Sequence, residues 1–223
     1  MVQKDEEAGM SGKIRDKLVE RKQEWAREGR LLTGAAADPA TRLPPGQRLV
    51  KDWPVLDLGV HPDVPRESFR LEIAGLVENP VVLDWAAIMA LPQQESVTDM
   101  HCVTQWSRYD NHWRGIATRT LLELARPQPE VRHVLFHAHD GYTTNVTLEQ
   151  FSGEDCALVH TWEGKPIERA HGGPLRVLIP RYYLWKSPKW VRRIEFSPVD
   201  RPGFWEVRGY NNHADPWLEE RYS

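Results

Sequence analysis

Short segments with strand-like apolar patterns follow one another from residue 69 to residue 196. In the clearest of them, residues 69–73, apolar and charged residues alternate, as they do in a strand with one buried face. Further strands are predicted at 95–103, 131–138, 142–148, 157–162, 175–180 and 190–196. Short helices are predicted at 84–91, with Asp84 as N-cap, and at 118–125. Strands with short helices between them predict an α+β fold built from mixed β-sheets.

The N-terminal part of the chain has a different character. Residues 12–30 predict a helix in which Ile14, Leu18 and Trp25 form a thin apolar stripe that packs on the body of the protein. An arm that binds a partner is the alternative. Residues 38–68 are rich in proline, so we expect an extended, irregular segment there.

Composition limits the class of protein. A chain of 223 residues that is 40% hydrophobic and 27% charged can form one folded domain of ordinary size. We expect a helical arm and proline-rich lead-in over residues 1–44, followed by that domain over residues 45–223. Two cysteines exclude a disulfide scaffold, and a net charge of −3 gives no reason to expect a nucleic-acid partner. The 10 tryptophans indicate many aromatic contacts, in a core or around a large planar ligand.

Two further features bear on location. The chain has no stretch of about 18 apolar residues, so no membrane span is predicted. The N-terminus is charged throughout and lacks the apolar region of an export signal. A cytoplasmic location is therefore expected.

Cys102 is the first candidate for chemistry. It stands where a predicted strand ends and an irregular segment begins, so its side chain can face a cleft. A buried free cysteine that acts as a small apolar residue is the alternative, and for Cys156 that alternative is the stronger interpretation. A hydrolase with Cys102 as nucleophile and a histidine as base stays open. A zinc site that uses His101, His137 and His139 also stays open, although no CxxC or HExxH motif completes it.

A second group of candidates lies between residues 171 and 190. Cationic and hydroxyl side chains are concentrated there, and the pair Gly172-Gly173 can let the backbone approach a ligand closely. These side chains are Arg176, Arg181, Lys186, Ser187 and Lys189. Together they predict a pocket for an anion such as a phosphate. A turn followed by a basic surface stretch is the alternative interpretation.

Taken in order, these segments resemble the molybdenum-cofactor domain of the sulfite oxidase family over roughly residues 45–217. The family's entry strand and first helix are similar to FRLEIAGLVENPVVLDWAAIMALP, and its cysteine segment is similar to HCVTQWSRYDNHWRGI. Its middle hairpin resembles HAHDGYTTNVTLE, and its pterin-pocket segment resembles HGGPLRVLIPRYYLWKSPKWVRRIEF. The end of the small bacterial members resembles GFWEVRGYNNHADPW. The resemblance implies the sulfite oxidase-type molybdopterin-binding fold in a single-domain member.

The resemblance also implies roles for individual residues. Molybdenum is held by the dithiolene of molybdopterin, with Cys102 as the protein ligand and catalytic residue; a thiolate is a soft donor that suits such a metal. The resemblance implies that His171 and Arg176 hold the pterin. It also implies that Ser187, Pro188 and Lys189 hold the phosphate of the pterin. Those implied to reach the same cleft from other segments are Lys51, Pro54, Val55, His137, Ala138 and His139.

The function implied by the resemblance is that of a molybdopterin-dependent oxidoreductase. It would move an oxygen atom to or from a small substrate, sulfite-like or sulfoxide-like. Electrons would be exchanged with a separate redox protein, because no haem, flavin or iron–sulfur motif is present. Arg108 is the nearest candidate for contact with an anionic substrate. A molybdopterin-binding protein without turnover and a cysteine hydrolase that uses Cys102 are the alternatives.

The sequence departs from the animal and plant members of that family. No segment resembles their immunoglobulin-like dimerisation domain, and none resembles a haem domain. The class of oxidoreductase is therefore better supported than sulfite as the substrate.

Overall fold

The computed structural model describes residues 2–38 and 40–223, with side chains from residue 12 onward. The helices are α1 Val2–Arg27, α2 Trp85–Ala90, α3 Thr118–Ala125 and α4 Leu148–Phe151. The strands are β1 Arg48–Leu49, β2 Arg70–Gly75, β3 Val81–Asp84, β4 Gln94–Cys102, β5 Trp106–Ala117, β6 His133–Ala138, β7 Thr143–Thr147, β8 Ala157–Trp162, β9 Lys165–Pro166, β10 Arg176–Leu178 and β11 Val191–Ser197. Single 3₁₀ turns occur at Arg169–His171, Leu184–Lys186 and Glu206–Arg208.

Two mixed sheets form the body of the protein. In the first, the strand order is β1-β5-β8-β10, with β4 paired to β5 and β9 paired to β8. In the second, the order is β3-β2-β11-β6-β7. Strands β2 and β11 run parallel although they are far apart in sequence, with Ile73 opposite Ile194. Apolar side chains from both sheets meet in one core that includes Leu71, Phe136 and Val177. The mixed sheets and short helices confirm the predicted α+β class.

Local signals in the sequence explain several of these elements. Asp84 caps α2, because its Oδ1 accepts a hydrogen bond from the amide of Ala87 at 2.8 Å. The predicted helix at 118–125 and the predicted strand at 157–162 have those same bounds in the structure. Alternation and capping are local properties, so these elements could be predicted without knowledge of the fold.

Strand β5 lies where the sequence predicts an irregular segment, and that prediction is wrong. Its sequence, WSRYDNHWRGIA, contains Asp, Asn and Gly, which are uncommon in strands. Buried Asn111 is satisfied there, since its Nδ2 donates to the carbonyls of Thr98 and Arg108 at 3.0 and 2.9 Å. At Gly115 a Cβ would lie 2.0 Å from the carbonyl oxygen of Leu158 on β8, so a side chain would block the pairing. Pairing with neighbouring strands therefore overrides local propensity.

Helix α1 packs on the body through a face that the sequence does not predict. Ile14 and Leu18 are 55% and 37% exposed, so the predicted stripe is wrong for these two residues. The contacts come from a different stripe along the helix, namely Arg15, Val19, Lys22 and Ala26. Two of its members are cations that lie over aromatic rings, which an apolar periodicity cannot reveal. No helix in the described part of the chain is long and apolar enough to cross a membrane.

The segment after α1 is tied to the C-terminal segment. The carboxylate of Glu219 accepts hydrogen bonds from the amides of Thr33 and Gly34 at 2.8 and 2.9 Å. The indole of Trp217 donates to the carbonyl of Thr41 at 2.7 Å. The division of the chain at residue 44 stays a prediction.

Candidate functional site

A cleft with about 920 Å³ of open space collects side chains from distant parts of the chain. Lys22 comes from α1, Asp57 from the proline-rich segment, and Cys102 from the end of β4. Further contributions come from Asp140 and Tyr142, from Leu184, Trp185 and 187–190, and from Trp205 and Tyr210. Of the residues predicted to form the cofactor site, the walls contain Pro54, Cys102, Arg176, Ser187, Pro188 and Lys189.

Cys102 marks what we call the cysteine region of the cleft, together with Lys22, Thr104, Trp205 and Tyr210. Strand β4 ends at Cys102, and a tight turn leads into β5. The Cys102 thiol is buried and hydrogen bonded to the hydroxyl of Thr104 at 3.2 Å. Burial raises the pKa of this thiol, while Lys22 and Arg221 act in the opposite direction. The thiol is therefore neutral unless a metal or another cation stabilises the thiolate.

Arg176 marks the anion region of the cleft, which also contains Ser187, Pro188 and Lys189. Arg176 is 3% exposed, and its guanidinium donates to the carbonyls of His171 and Ser187 at 2.8 and 2.9 Å. Burial lowers the pKa of Arg176 to about 10, and no carboxylate opposes that shift. A buried cation that is satisfied only by carbonyls has a large desolvation cost. Its charge is therefore available to an anionic ligand.

Lys189 and Ser187 add donors to the anion region. The Lys189 ammonium donates to the carbonyl of Ala170 at 2.7 Å and lies 3.8 Å from the Asp57 carboxylate. Burial and the charge of Arg176 lower the pKa of Lys189 to about 8. The Ser187 hydroxyl accepts from the amide of Ile179 at 2.9 Å, which leaves its own proton available for donation.

The other cations of this segment have partners elsewhere. The Lys186 ammonium forms a buried ion pair with Glu206 at 2.7 Å, and Arg181 lies 3.5 Å from Asp215. Neither lines the cleft.

The Trp53 ring lines the cleft beside the anion region, and the predicted site residue His171 contacts that ring without being one of the lining residues. The rings of Trp53 and His171 stack with centroids 4.1 Å apart and planes 15° apart, and the Arg176 guanidinium lies 5.1 Å from the Trp53 ring. Burial, aided by Arg176, lowers the pKa of His171 to about 4, so the imidazole is neutral. The Nδ1 atom of His171 and the Nε1 atom of Trp106 are buried without a hydrogen-bond partner among the described residues.

The glycine pair packs against protein. At Gly172, where φ is +104°, a Cβ would lie 2.8 Å from the Cβ of Lys189. At Gly173 a Cβ would lie 2.0 Å from the carbonyl oxygen of Ile167. The sequence predicts that the backbone at this glycine pair approaches a ligand closely. In the structure it approaches Lys189 and Ile167 instead, and this packing fixes Lys189 beside the cleft.

The predicted residues around the end of β6 lie outside the cleft walls. His137 pairs with Glu195 across the second sheet at 3.2 Å, and the carbonyl of Ala138 accepts from Arg192 at 3.2 Å. His139 is exposed, and its amide donates to the carbonyl of Trp190 at 2.9 Å. Within residues 2–38 and 40–223, no group of three His, Cys, Asp or Glu side chains could hold a metal ion.

Lys51, Val55 and Arg108 also lie outside the cleft walls. Lys51 and Val55 are exposed. The Arg108 guanidinium donates to the carbonyl of Lys51 at 3.0 Å and to Glu163 at 3.2 Å, and it lies 4.8 Å from the Trp162 ring. Because these partners occupy it, Arg108 is turned to the surface of the first sheet and not to Cys102.

Several cleft residues were not predicted from the sequence. Among them are Lys22, Thr104, Asp140, Tyr142 and Tyr210. For the aromatic wall a signal was available, because half of the 10 tryptophans line the cleft: Trp53, Trp106, Trp185, Trp190 and Trp205. Burial raises the pKa of Asp140, a partly buried carboxyl group in the cleft wall.

The residues present fit a planar, anionic cofactor that carries a soft metal. Arg176 and Lys189 are cations for its phosphate, and the indole rings that line the cleft offer flat surfaces and, at Trp106, an unpaired buried N–H group among the described residues. Cys102 supplies a sulfur donor in the same cleft. This arrangement matches the donor set that molybdopterin requires.

Comparison with known proteins agrees with this chemistry. The family model of the oxidoreductase molybdopterin binding domain matches residues 58–205. The chain is 40% identical over 191 residues to "Uncharacterized oxidoreductase YuiH" of Bacillus subtilis, which covers 84% of this chain and 95% of that relative. It is 29% identical over 149 residues to "Putative protein-methionine-sulfoxide reductase subunit YedZ1" of Azospira oryzae, covering 67% of this chain and 56% of the relative.

A more distant relative and a solved structure are also similar to this chain. The chain is 28% identical over 164 residues to "Protein-methionine-sulfoxide reductase catalytic subunit MsrP" of Campylobacter jejuni, covering 63% of this chain and 52% of the relative. It thus spans about half the length of the two methionine-sulfoxide reductase subunits. The solved structure of the sulfane dehydrogenase SoxCD from Paracoccus pantotrophus superposes with a TM-score of 0.57 at 20% identity. That match covers 62% of this chain and 40% of that one, and it supports the fold.

Proposed function

Because this chain belongs to the oxidoreductase molybdopterin-binding domain family and is an enzyme of that class, we propose that it transfers an oxygen atom at sulfur, with a small sulfoxide as the favoured substrate. In that direction the sulfoxide takes up two electrons and two protons and yields a sulfide and water. The electrons come from a separate redox protein. Two relatives are named as methionine-sulfoxide reductase subunits, which supports both the substrate class and a partner.

One observation carries the proposal. Cys102, the soft donor, and Arg176 with Lys189, the cations, line the same cleft although they come from distant parts of the chain. A buried free cysteine that served only packing would need no cation beside it. A basic surface stretch would not be buried, as Arg176 is.

The chain's own residues divide the work of holding the cofactor. Cys102 would bind the metal through its thiolate, and the Thr104 hydroxyl would donate to that sulfur. Arg176, Lys189 and Ser187 would hold the phosphate, while Pro188, Trp53 and His171 would confine the pterin. When bound, the cofactor supplies a metal centre that can exchange two electrons and an oxygen atom. Buried aromatic walls keep bulk water away from that centre.

The hydrolase alternative has less support from the geometry. The thiol of Cys102 is paired with Thr104, and the adjacent His101 directs its Nδ1 to the hydroxyl of Ser107 at 2.8 Å. Burial lowers the pKa of His101 to about 4, which makes it a weak base. A cytoplasmic location stays a prediction.

The test combines metal analysis with a reduction assay. Protein purified from a host that makes molybdopterin should carry molybdenum and pterin near one per chain, and should reduce dimethyl sulfoxide with reduced viologen dye. Cys102→Ser should lose this activity and the thiolate-to-metal absorption band, because a hard oxygen replaces the soft sulfur donor. Cys156→Ser is the matched control: its thiol donates to the carbonyl of Gln150 at 3.3 Å, away from the cleft, and both signals should persist.

Two results would refute the proposal. One is a wild-type protein without molybdenum that hydrolyses esters or amides through Cys102. The other is a Cys102→Ser variant with unaltered activity and spectrum.

A further inference from the structure

We propose that α1 forms part of the active site, and that Lys22 donates a hydrogen bond to the sulfur-bound oxygen of the substrate. This inference rests on the proposed function, which it deepens by naming a substrate-positioning residue. It assigns to the N-terminal helix a role in substrate recognition that a solvated arm would not have.

The packing of α1 fixes Lys22 in the cleft. The Lys22 ammonium lies 5.0 Å from the centroid of the Trp205 ring, and one turn later Ala26 is buried. A Cβ at Gly209 would lie 3.2 Å from the Cβ of Ala26, so the helix sits tightly on the C-terminal segment. Lys22 is therefore anchored on both sides, since Val19 also packs on the same cluster of buried residues.

In the described part of the chain, no carboxylate lies within ion-pair distance of the Lys22 ammonium, although Asp57 favours its charge from farther away. Among the described residues, the lysines that lie within 4.0 Å of a carboxylate are Lys186 and Lys189. An ammonium that is partly withdrawn from water and lies over an aromatic face retains part of its desolvation cost. A ligand with an acceptor oxygen at this point would offset that cost. This is why we assign Lys22 to ligand binding and not to the packing of α1.

The position of Lys22 favours the substrate over the cofactor. The anionic part of the cofactor is matched by Arg176 and Lys189 in the anion region. Lys22 reaches the cleft from α1 over the Trp205 ring, in the lining that also contains Cys102 and Thr104. The substrate must approach the metal there, because Cys102 is the residue that would hold the metal.

The surroundings of Lys22 suit a small organic sulfoxide. Trp205, Tyr210 and Val103 give the cysteine region apolar walls that can receive carbon substituents. Lys22 offers the matching donor for a sulfur-bound oxygen. One cation among apolar groups is a recognition pattern for a polar bond at the end of an apolar molecule.

The experiment uses the holoprotein and three variants. Lys22→Met removes the donor, Lys22→Arg replaces it, and Lys17→Met is the matched control because Lys17 is exposed on the same helix. Molybdenum and pterin content are measured first. The dissociation constant for dimethyl sulfoxide is then read from its perturbation of the visible spectrum of the resting holoprotein, with sulfate as the anionic probe, and KM and kcat are measured with dye.

We expect Lys22→Met to keep its cofactor and to bind dimethyl sulfoxide about 10- to 100-fold more weakly, the range for a hydrogen bond to a charged group. KM should rise more than kcat falls, Lys22→Arg should recover part of the affinity, and Lys17→Met should match the wild type. Unchanged affinity, loss of cofactor from Lys22→Met, or an effect on sulfate alone would overturn the assignment. A wild-type protein that binds dimethyl sulfoxide without reducing it would refute the proposed function. The affinities of the wild type and the Lys22 variants could still be compared, so the role of Lys22 in binding would still be tested.

Discussion

The guanidinium of Arg221 donates a hydrogen bond through Nη1 to the backbone carbonyl of Val103, the residue that follows Cys102. Arg221 is fully buried, lies 5.0 Å from the Tyr183 ring, and is 3.6 Å from the Glu219 carboxylate. Glu219 in turn holds the segment after α1. The C-terminal segment thus clamps the cysteine turn and the N-terminal lead-in together.

Arg221→Met should loosen the cysteine turn. Loss of one member of a buried ion pair leaves the other unpaired, so we expect the free energy of unfolding to fall by about 3–5 kcal/mol. The folded Arg221→Met holoprotein should show a shifted thiolate-to-metal absorption band, because the turn that carries Cys102 has lost its hydrogen bond to Arg221. Urea denaturation and visible spectroscopy measure the two effects.

Arg201→Met is the control for that variant, since Arg201 is more than half exposed and pairs with Glu195 on the surface. Its effect on unfolding should stay within about 1 kcal/mol. Equal effects of the two substitutions, or an unshifted band in Arg221→Met, would contradict the clamp.

Arg176→Met should separate cofactor binding from folding. In the cofactor-free protein the loss of the hydrogen bonds to the carbonyls of His171 and Ser187 is opposed by relief of a buried charge, so the free energy of unfolding should change by no more than about 2 kcal/mol. Pterin content should fall sharply, because charge-assisted hydrogen bonds contribute about 1.5–3 kcal/mol each. Pterin fluorescence after oxidation measures the content. Arg119→Met, on the exposed face of α3, is the control, and full occupancy in Arg176→Met would remove the assignment.

A helix or strand could be predicted from the sequence when a few neighbouring residues determine it. Capping by Asp84 and the alternation in β2 are properties of a few neighbouring residues, so both elements were predicted. Strand β5 depends on Asn111 being satisfied by carbonyls of β4 and β5 themselves, which no local pattern contains. Its place as the strand that joins β1, β4 and β8 could be learned only from the fold.

The residues of the candidate site also fall into those that could be predicted from the sequence and those that could not. Cys102 and the segment from Arg176 to Lys189 are marked by residue type and by the resemblance to a known family. Lys22 reaches the cleft because α1 docks through cation–aromatic contacts, so its role depends on Trp205, far along the chain. His137 lies in β6 and pairs within the second sheet, and His139 follows the end of that strand with its amide bonded to the carbonyl of Trp190. Spacing alone could not tell these positions from positions in the cleft.

Arg108 gives a direct test of sequence against structure. The sequence predicts that Arg108→Met raises KM for an anionic substrate steeply. In the structure the guanidinium is held by Lys51, Asn111 and Glu163, so we expect KM to change by less than about twofold for an anionic substrate such as sulfite as well as for dimethyl sulfoxide. The free energy of unfolding should fall by about 1–3 kcal/mol, because the amide of Asn111 loses a charged partner. A steep rise in KM without loss of stability would restore Arg108 as a substrate contact.

The free energy of unfolding of the cofactor-free protein should depend on pH through Lys189. In the cofactor-free protein the pKa of Lys189 is lowered from 10.5 to about 8, chiefly by burial and then by Arg176. Between these values the unfolded chain binds more protons than the folded protein, so stability rises with pH. Tyrosines and cysteines titrate in the same range, and their contribution cancels when wild type is compared with Lys189→Met. From pH 8 to 9.5 the wild type should gain on the order of 1–2 kcal/mol relative to Lys189→Met, measured by urea denaturation.

Cofactor binding should abolish this difference. A bound phosphate favours the charged lysine and returns its pKa toward the usual range, so the folded holoprotein no longer releases the proton near pH 8. Lys165→Met, at an exposed position on β9, should show the wild-type pH dependence throughout. If cofactor-free wild type and Lys189→Met follow the same curve, Lys189 is not the buried cation with a lowered pKa that the anion region requires. If the difference persists in the holoprotein, the phosphate does not lie against Lys189.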